Sequence, residues 1–373
     1  MKKIIQTVIA CLILIALVLV LTNTTLAQGL LKFLLNETKA SDKTFNNYWY
    51  YSQLTQRERD VYMKLATAVE NMDKNVTVVG GKNLSASDAT KAYEAYMLDN
   101  PECFYVGNKY EIVVTKLLNA AAIKIKLEFT ENKEKIETQK NKLELEAQNI
   151  INKVISSDMT DFEKQVALHD YLLSHVNYYD YTNIEDIPNV KHTAYGALVD
   201  NEAVCDGISK AYSILLKKCG IENVVVIGKM SEQHAWNKVC LAGNWYNVDV
   251  TADACGKERT ISHVYFNLTD AEMQKSHTFD LLFSTPECNN SNDYYDYYDY
   301  KITNQDILGD KVYKIIANTK GESLEFKINS NSYTIQNVVQ KLYELDFNKY
   351  KTNNIKEMQY YYIGNVFVIP KNK

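Results

Sequence analysis

The sequence predicts an α+β protein in which a helix carrying a cysteine packs on an antiparallel sheet carrying a histidine and an aspartate. Three observations lead to this prediction: an amphipathic helix begins at Cys205, a β-hairpin covers about 234–250, and capped helical stretches precede both. The chain has 373 residues, of which 46% are hydrophobic and 23% are charged. A chain of this length can form two domains, or one domain with substantial extensions. Its composition excludes wholesale disorder.

Charge and residue usage exclude other classes of protein. The chain has 41 basic and 46 acidic side chains, a formal net charge of -5. Because there is no basic excess, we expect no nucleic-acid partner. Only four prolines and 13 glycines are present, which excludes collagen-like and Pro/Gly-rich low-complexity chains.

The first 27 residues have the pattern of an export segment. Two lysines precede an uninterrupted apolar run from Val8 to Leu21. Thr25-Leu26-Ala27 then has the small-x-small pattern of a signal-peptide cleavage site. The apolar stretch is also near the minimum length for an uncleaved membrane anchor. Both alternatives stay open, and both place the remaining chain outside the cytoplasm, either secreted or anchored to the cell membrane.

The remaining chain divides into three predicted parts, which are a mainly helical region at 28–159, the α+β core at 160–290 and a small C-terminal α/β segment at 291–373. Outside the core, periodicity and capping boxes predict helices at 55–69, 87–98, 131–155 and 334–345, and strands at 75–79, 121–129 and 360–368. A further helix begins after Thr160, and we interpret His169 on its apolar face as a core histidine. The DYYDYYDY stretch at 293–300 favours a solvated segment or an edge strand.

Six cysteines follow the export segment, and their spacings are wide and irregular. They are Cys103, Cys205, Cys219, Cys240, Cys255 and Cys288. No CxxC pair occurs among them, so neither zinc binding nor a thioredoxin-type redox site is indicated. We expect mostly free thiols, no metal and no cofactor.

Cys205 has a position that favours a reactive thiol. The apolar residues that follow it have the spacing of an amphipathic helix, and Gly220 fits the left-handed cap at its end. Cys205 therefore lies in the first helical turn, where the helix dipole favours a thiolate. Cys219 lies at the opposite end of this helix and is interpreted as a core residue.

A hairpin supplies the histidine and the aspartate. Strands at about 234–241 and 245–250 flank Ala242-Gly243, which fits a two-residue turn. Such a turn pairs Leu241 with Asn244, and this register places His234 and Asp249 on one face as diagonal neighbours. A three-residue turn would place them on opposite faces. The three residue types suit a thiol nucleophile, its base and an orienting acid, although they are also compatible with side chains that never meet.

The same stretch resembles the transglutaminase-like superfamily, whose fold belongs with the papain-like cysteine proteases. The matching segments are YGAL at 195–198, AVCDG at 203–207, Gly220-Ile221, HAWNKV at 234–239 and NWYNVDVTAD at 244–253. The resemblance covers about 160–285, and the flanks resemble the N-terminal extension of exported Gram-positive members. It implies that Cys205 is the nucleophile, His234 the base and Asp249 the orienting acid. Ala252 departs from the family, which often has Trp there, and Ala203 replaces a frequent glycine.

The resemblance implies cysteine-dependent acyl transfer on peptide or carboxamide bonds. Water as the acceptor gives a peptidase or amidase, and an amine gives a transamidase; nothing in the sequence decides between them. The expected partner is a protein or peptide substrate, with cell-wall peptides suggested by location alone. An exported, non-catalytic binding or scaffold protein that retained the fold is the alternative.

Overall fold

The structure is a computed structural model, and two compact units are distinguished within it. It describes residues 18, 23–255, 259–304, 306–319, 323–329, 331, 333–344 and 360–370. Among these described residues, one unit comprises those up to 144 together with 281–284, and the other comprises those at 145–280 and from 285 onward. Most of the predicted export segment lies outside the described residues. Among the helices in the described ranges, none is both long and apolar enough to cross a bilayer.

The first unit combines helices with a three-stranded antiparallel sheet. Its helices are α1 (Thr24–Leu35), α2 (Trp49–Ser52), α3 (Gln56–Asn71), α4 (Ala86–Asp99) and the first part of α5 (Lys133–Val154). Its strands are β1 (Asn75–Gly81), β2 (Val106–Leu117) and β3 (Ala120–Phe129), in the order β1-β3-β2. Thr55 and Glu58 form the predicted capping box of α3. Ala27 of the predicted cleavage motif lies inside α1 and is buried against the sheet.

The second unit is built around a five-stranded antiparallel sheet. Its helices are α6 (Asp161–His175), α7 (Ala194–Leu198), α8 (Cys205–Lys218), α9 (Asp270–Met273), α10 (Tyr294–Tyr297), α11 (Leu308–Asn318) and α12 (Ile335–Glu344). Its strands begin with the short β4 (Asn177–Tyr178) and β5 (Glu202–Ala203), followed by β6 (Asn223–Lys229), β7 (Gln233–Leu241), β8 (Asn244–Val248), β9 (Ala254–Cys255), β10 (Thr260–Ile261), β11 (Phe266–Leu268) and β12 (Thr278–Phe279). The central sheet has the order β11-β8-β7-β6-β12, and α8 packs on β6 and β7. The predicted α+β arrangement, a cysteine-bearing helix on an antiparallel sheet, is confirmed.

A four-stranded sheet forms the end of the second unit. Its strands are β13 (Lys301–Thr303), β14 (Ser323–Asn329), β15 (Tyr361–Ile363) and β16 (Val366–Pro370), in the order β13-β14-β16-β15. Residues of this sheet and of α11 and α12 share one apolar core. The single strand predicted at 360–368 is a hairpin, because Gly364 turns the chain with a φ of 62°.

The tyrosine-rich stretch at 293–300 differs from its prediction. Tyr294–Tyr297 is a short helix, not an edge strand, and Asp293 caps it by accepting a hydrogen bond from the Asp296 N–H. Asp293 also pairs with Lys327 at 2.6 Å, and Tyr295 is buried in the core. The prediction was wrong because side-chain partners distant in sequence satisfy the acid and cover the rings.

Candidate active site

Cys205 is the first residue of α8, as the sequence predicts. It is half-buried and carries a free thiol. The positive end of the helix dipole lies at this residue and favours an anion there. Gly207 allows the preceding loop to pack on this first turn, because a Cβ at position 207 would lie 2.5 Å from the Lys191 carbonyl oxygen.

The hairpin has the register that the two-residue turn predicts. Ala242 and Gly243 have φ values of 50° and 81°, as a type I′ turn requires. Leu241 pairs with Asn244, and the pairing continues to Asn237 and Val248. One further step along both strands reaches Asp249. His234 lies two residues beyond the position opposite Asp249, so both side chains are on the same face as diagonal neighbours.

The structure brings the three predicted site residues together. His234 Nε2 lies 2.6 Å from Asp249 Oδ2, and the Cys205 side chain is close enough to the His234 ring to raise the pKa of that ring. Burial of the ring disfavours its charged form. The hydrogen bond and charge of Asp249, together with Cys205, outweigh burial and raise the pKa of His234 to about 10.

Asp249 is fully buried and its carboxylate accepts four hydrogen bonds. Oδ1 accepts the N–H groups of Thr251 and Ala252, both at 3.0 Å. Oδ2 accepts from His234 and, at 3.1 Å, contacts Nε2 of His277. Burial would raise the pKa of Asp249, but these partners hold it well below its usual range. Because Ala252 contributes through its backbone, the replacement of the family's frequent Trp leaves this contact intact.

His277 is a site residue that the sequence analysis missed. It is buried immediately before β12, and its Nδ1 lies 2.8 Å from Ser276 Oγ. Gly228 of β6 makes room for β12, since a Cβ there would lie 2.1 Å from the Thr278 carbonyl oxygen. His277 comes 28 residues after Asp249, so only the pairing of β12 with β6 reveals their contact.

Tyr178 is a second residue that the sequence analysis missed. Its strand pairs in parallel with Glu202–Ala203, which leads directly into Cys205. The Tyr178 hydroxyl lies close to the Cys205 backbone N–H, and this contact partly offsets the rise in the pKa of Tyr178. Burial and the nearby Cys205 raise the pKa of Tyr178 well above its ordinary value, so the phenol remains a neutral donor.

The other described thiols have surroundings that suppress ionisation. Burial raises the pKa of Cys103 and of Cys288 to about 12. Burial also raises the pKa of Cys219 and of Cys240 above the ordinary thiol value. These four cysteines and Cys205 are free thiols, as the sequence predicts.

Comparison with known protein families agrees with this geometry. Residues 148–250 match the transglutaminase-like superfamily. The chain therefore contains a transglutaminase-like core, and the resemblance seen in the sequence is confirmed.

Two solved structures are similar to this chain at low sequence identity. One is the crystal structure of a TGase, with 15% identity and a TM-score of 0.28, covering 62% of this chain and 59% of that chain. The other is described as "a Putative Cysteine Protease from Cytophaga hutchinsonii", with 12% identity and a TM-score of 0.25, covering 38% of this chain and 62% of that chain. The chain thus spans about three fifths of the length of each. Comparison with curated proteins finds no match.

Proposed function

We propose that this protein catalyses cysteine-dependent acyl transfer on peptide or carboxamide bonds. Cys205 is the nucleophile, His234 its acid–base partner and Asp249 the group that orients the imidazole. One observation carries the proposal, which is that His234 is hydrogen-bonded to Asp249 and also interacts with the Cys205 side chain. This is the arrangement that activates a thiol and fixes the tautomer of its base.

The first half-reaction forms a thioester. The Cys205 sulfur attacks the carbonyl carbon, and the carbonyl oxygen becomes an oxyanion. When the oxyanion collapses, the C–N bond breaks and the imidazolium of His234 donates its proton to the leaving nitrogen. The raised pKa of His234 supports this role, because it keeps the proton available at neutral pH.

The proposed oxyanion site has two donors. The Cys205 backbone N–H is one, as the helix start supplies it. The Tyr178 hydroxyl is the other, because it already lies against this N–H and remains protonated. When the substrate oxygen replaces the Tyr178 hydroxyl beside this N–H, the hydroxyl is close enough to donate a hydrogen bond to the same oxygen.

The second half-reaction releases the acyl group. Neutral His234 removes a proton from water or from an amine, which attacks the thioester carbonyl; the C–S bond breaks and the sulfur leaves as a thiolate. Water makes the protein a peptidase or amidase, and an amine makes it a transamidase. Protein or peptide substrates at the cell envelope, including cell-wall peptides, fit the proposed export.

We also propose that the N-terminal segment anchors the chain outside the cytoplasm. Cleavage after Ala27 would remove Asn23, whose side chain caps α1, and would remove Ala27 from its buried position on the sheet. A retained segment keeps the Asn23 cap and the buried position of Ala27. N-terminal sequencing of the membrane fraction should find residues preceding Ala27, and a mature chain starting at Gln28 in the soluble fraction would contradict the anchor.

Brief alkylation of the folded, full-length chain tests the proposed site. Iodoacetamide at pH 6–7 should modify Cys205 first, as identified by peptide mapping. His234→Ala should slow this labelling because it removes the imidazole that stabilises the thiolate. His175→Ala is the matched control, since the imidazole of His175 contacts Ser174 and the Tyr171 carbonyl instead.

Thioester trapping with a library of amides then tests catalysis itself. An acyl group recovered on Cys205, and lost in His234→Ala, supports the enzyme and identifies the donor substrate. Selective labelling without any trapped acyl group would favour the non-catalytic scaffold. Labelling spread over several cysteines, or a Cys205 rate that ignores His234, would contradict the proposed site.

A further inference from the structure

A second cluster of ionisable side chains lies in the second unit, outside the proposed triad. Its members are His169 and Asp170 of α6, Asp253, His263 and Glu325 of β14. All are buried except Asp170, whose side chain is 35% exposed. Such a concentration of charge inside a domain requires close pairing or a bound ion.

The contacts within the cluster have a regular order. Asp170 Oδ1 lies 3.0 Å from His169 Nδ1 and 3.0 Å from His263 Nε2. These three atoms all lie within 4.8 Å of one another. The opposite nitrogen of each ring faces another carboxylate, with Asp253 Oδ2 at 3.1 Å from His169 Nε2 and Glu325 Oε1 at 3.0 Å from His263 Nδ1.

We propose that His169 Nδ1, Asp170 Oδ1 and His263 Nε2 bind a divalent transition-metal ion, with Zn²⁺ as the best-fitting ion. Two imidazole nitrogens and one carboxylate oxygen form a donor set that zinc accepts. A metal-bound histidine almost always donates its other ring N–H to a carboxylate or carbonyl. Both histidines here already have such a carboxylate.

Glu325 is itself held firmly in this supporting position. It accepts the His263 backbone N–H at 2.9 Å and the Tyr295 hydroxyl at 2.9 Å. The Ser323 hydroxyl also donates to it at 3.0 Å. Since these contacts fix Glu325, they also fix the orientation of the His263 ring before any ion arrives.

Space for a further ligand lies beside Asp170 and His263. A cavity of about 250 Å³ is lined by both residues and by Ser323, Glu325 and Tyr294. Zinc sites with three protein ligands complete a tetrahedral shell with water or a small oxygen ligand. The cavity provides room for that fourth ligand and a route by which the ion enters.

No motif in the sequence indicates this site. Asp170 and His263 are 93 residues apart, and the cysteine spacings that usually mark zinc were absent. The interpretation of His169 as a core histidine is correct for its burial. In this proposal His169 has a second role, since it binds the metal ion together with Asp170 and His263.

Zn²⁺ titration of the chelator-treated, full-length protein tests the proposal, with calorimetry for affinity and mass spectrometry for stoichiometry. One Zn²⁺ per chain is expected. Asp170→Asn should abolish this binding, and Glu325→Gln should weaken it about 10- to 100-fold, the usual effect of losing a supporting carboxylate. His175→Gln is the matched control, because His175 lines the same cavity without belonging to the cluster. It should bind as the wild type does.

Two further measurements distinguish this site from others. His234, Asp249 and His277 also place three ligand atoms close together, so His277→Gln is included. Binding that is lost in His277→Gln and kept in Asp170→Asn would overturn the proposal, as would no binding to the wild type at micromolar Zn²⁺. Co²⁺ bound to the wild type should lack a thiolate charge-transfer band, and this band would also overturn it. None of these readouts depends on the proposed acyl transfer.

Discussion

Replacement of Gly228 by alanine is the sharpest structural test of how the candidate active site is assembled. The added Cβ would lie 2.1 Å from the Thr278 carbonyl oxygen and 2.6 Å from the Trp236 ring. Because carbon and oxygen normally approach to about 3.3 Å, β12 must move by about 1 Å. Overpacking of this kind lowers the free energy of unfolding by about 1–3 kcal/mol. His277 precedes Thr278, so it moves with the strand and its 3.1 Å contact with Asp249 is lost.

Urea denaturation and Cys205 alkylation measure the two consequences. The labelling rate of Gly228→Ala at pH 6–7 should fall between those of the wild type and Asp249→Ala, because Asp249 remains but loses one partner. Gly81→Ala is the matched control, since Gly81 also lies at a strand and its added Cβ would come no closer than 3.8 Å to another group. Wild-type stability and wild-type labelling in Gly228→Ala would refute the argument that this glycine determines the position of His277.

Three further predictions concern the same site. His277→Ala should slow Cys205 labelling about 10-fold, the lower end of the effect of one lost hydrogen bond to a charged group, with partial recovery in His277→Gln, as stopped-time alkylation would measure. Tyr178→Phe should lower the rate of Cys205 acylation by an amide substrate about 10²- to 10³-fold, as thioester trapping would measure, and should leave iodoacetamide labelling unchanged. Equal losses in both assays would contradict the role of Tyr178 as an oxyanion donor. The pKa of His234 rises from 6.5 to about 10 on folding, so its stabilising contribution is complete below pH 6.5 and is lost as the pH rises through about 10. The unfolding free energy of the wild type relative to His234→Ala should therefore decrease from pH 6.5 to 10 in urea titrations, and a constant difference would contradict the raised pKa.

Local signals explain which parts of the fold were predictable. The capping boxes at Thr55 and Thr160 marked helix starts correctly, because the residues involved lie within one helical turn. The long strand β2 was not predicted, since most of its side chains are exposed or half-buried and it lacks a clear apolar alternation. The stretch at 293–300 was predicted wrongly, because its buried state depends on partners such as Lys327 that only the folded chain supplies.

The same distinction applies to the candidate site. Cys205 could be located from a helix start, and the facing of His234 and Asp249 followed from a two-residue turn. His277 and Tyr178 could not be located, because each reaches the site through strand pairing with a distant segment. Helical periodicity and the number of residues in a turn can be read over a few residues, whereas pairing between distant strands depends on the whole fold.

The sequence separation between His263 and Glu325 has a consequence for the order of folding. His234 and Asp249 are 15 residues apart, and a short hairpin of this kind closes in about 1–10 μs. Glu325 reaches His263 from 62 residues further along the chain, and contacts of such separation form later because their loops cost more entropy to close. During synthesis the residues of the hairpin therefore emerge before those of β14. His234 and Asp249 are available to pair before Glu325, and Glu325 supports His263 only afterwards.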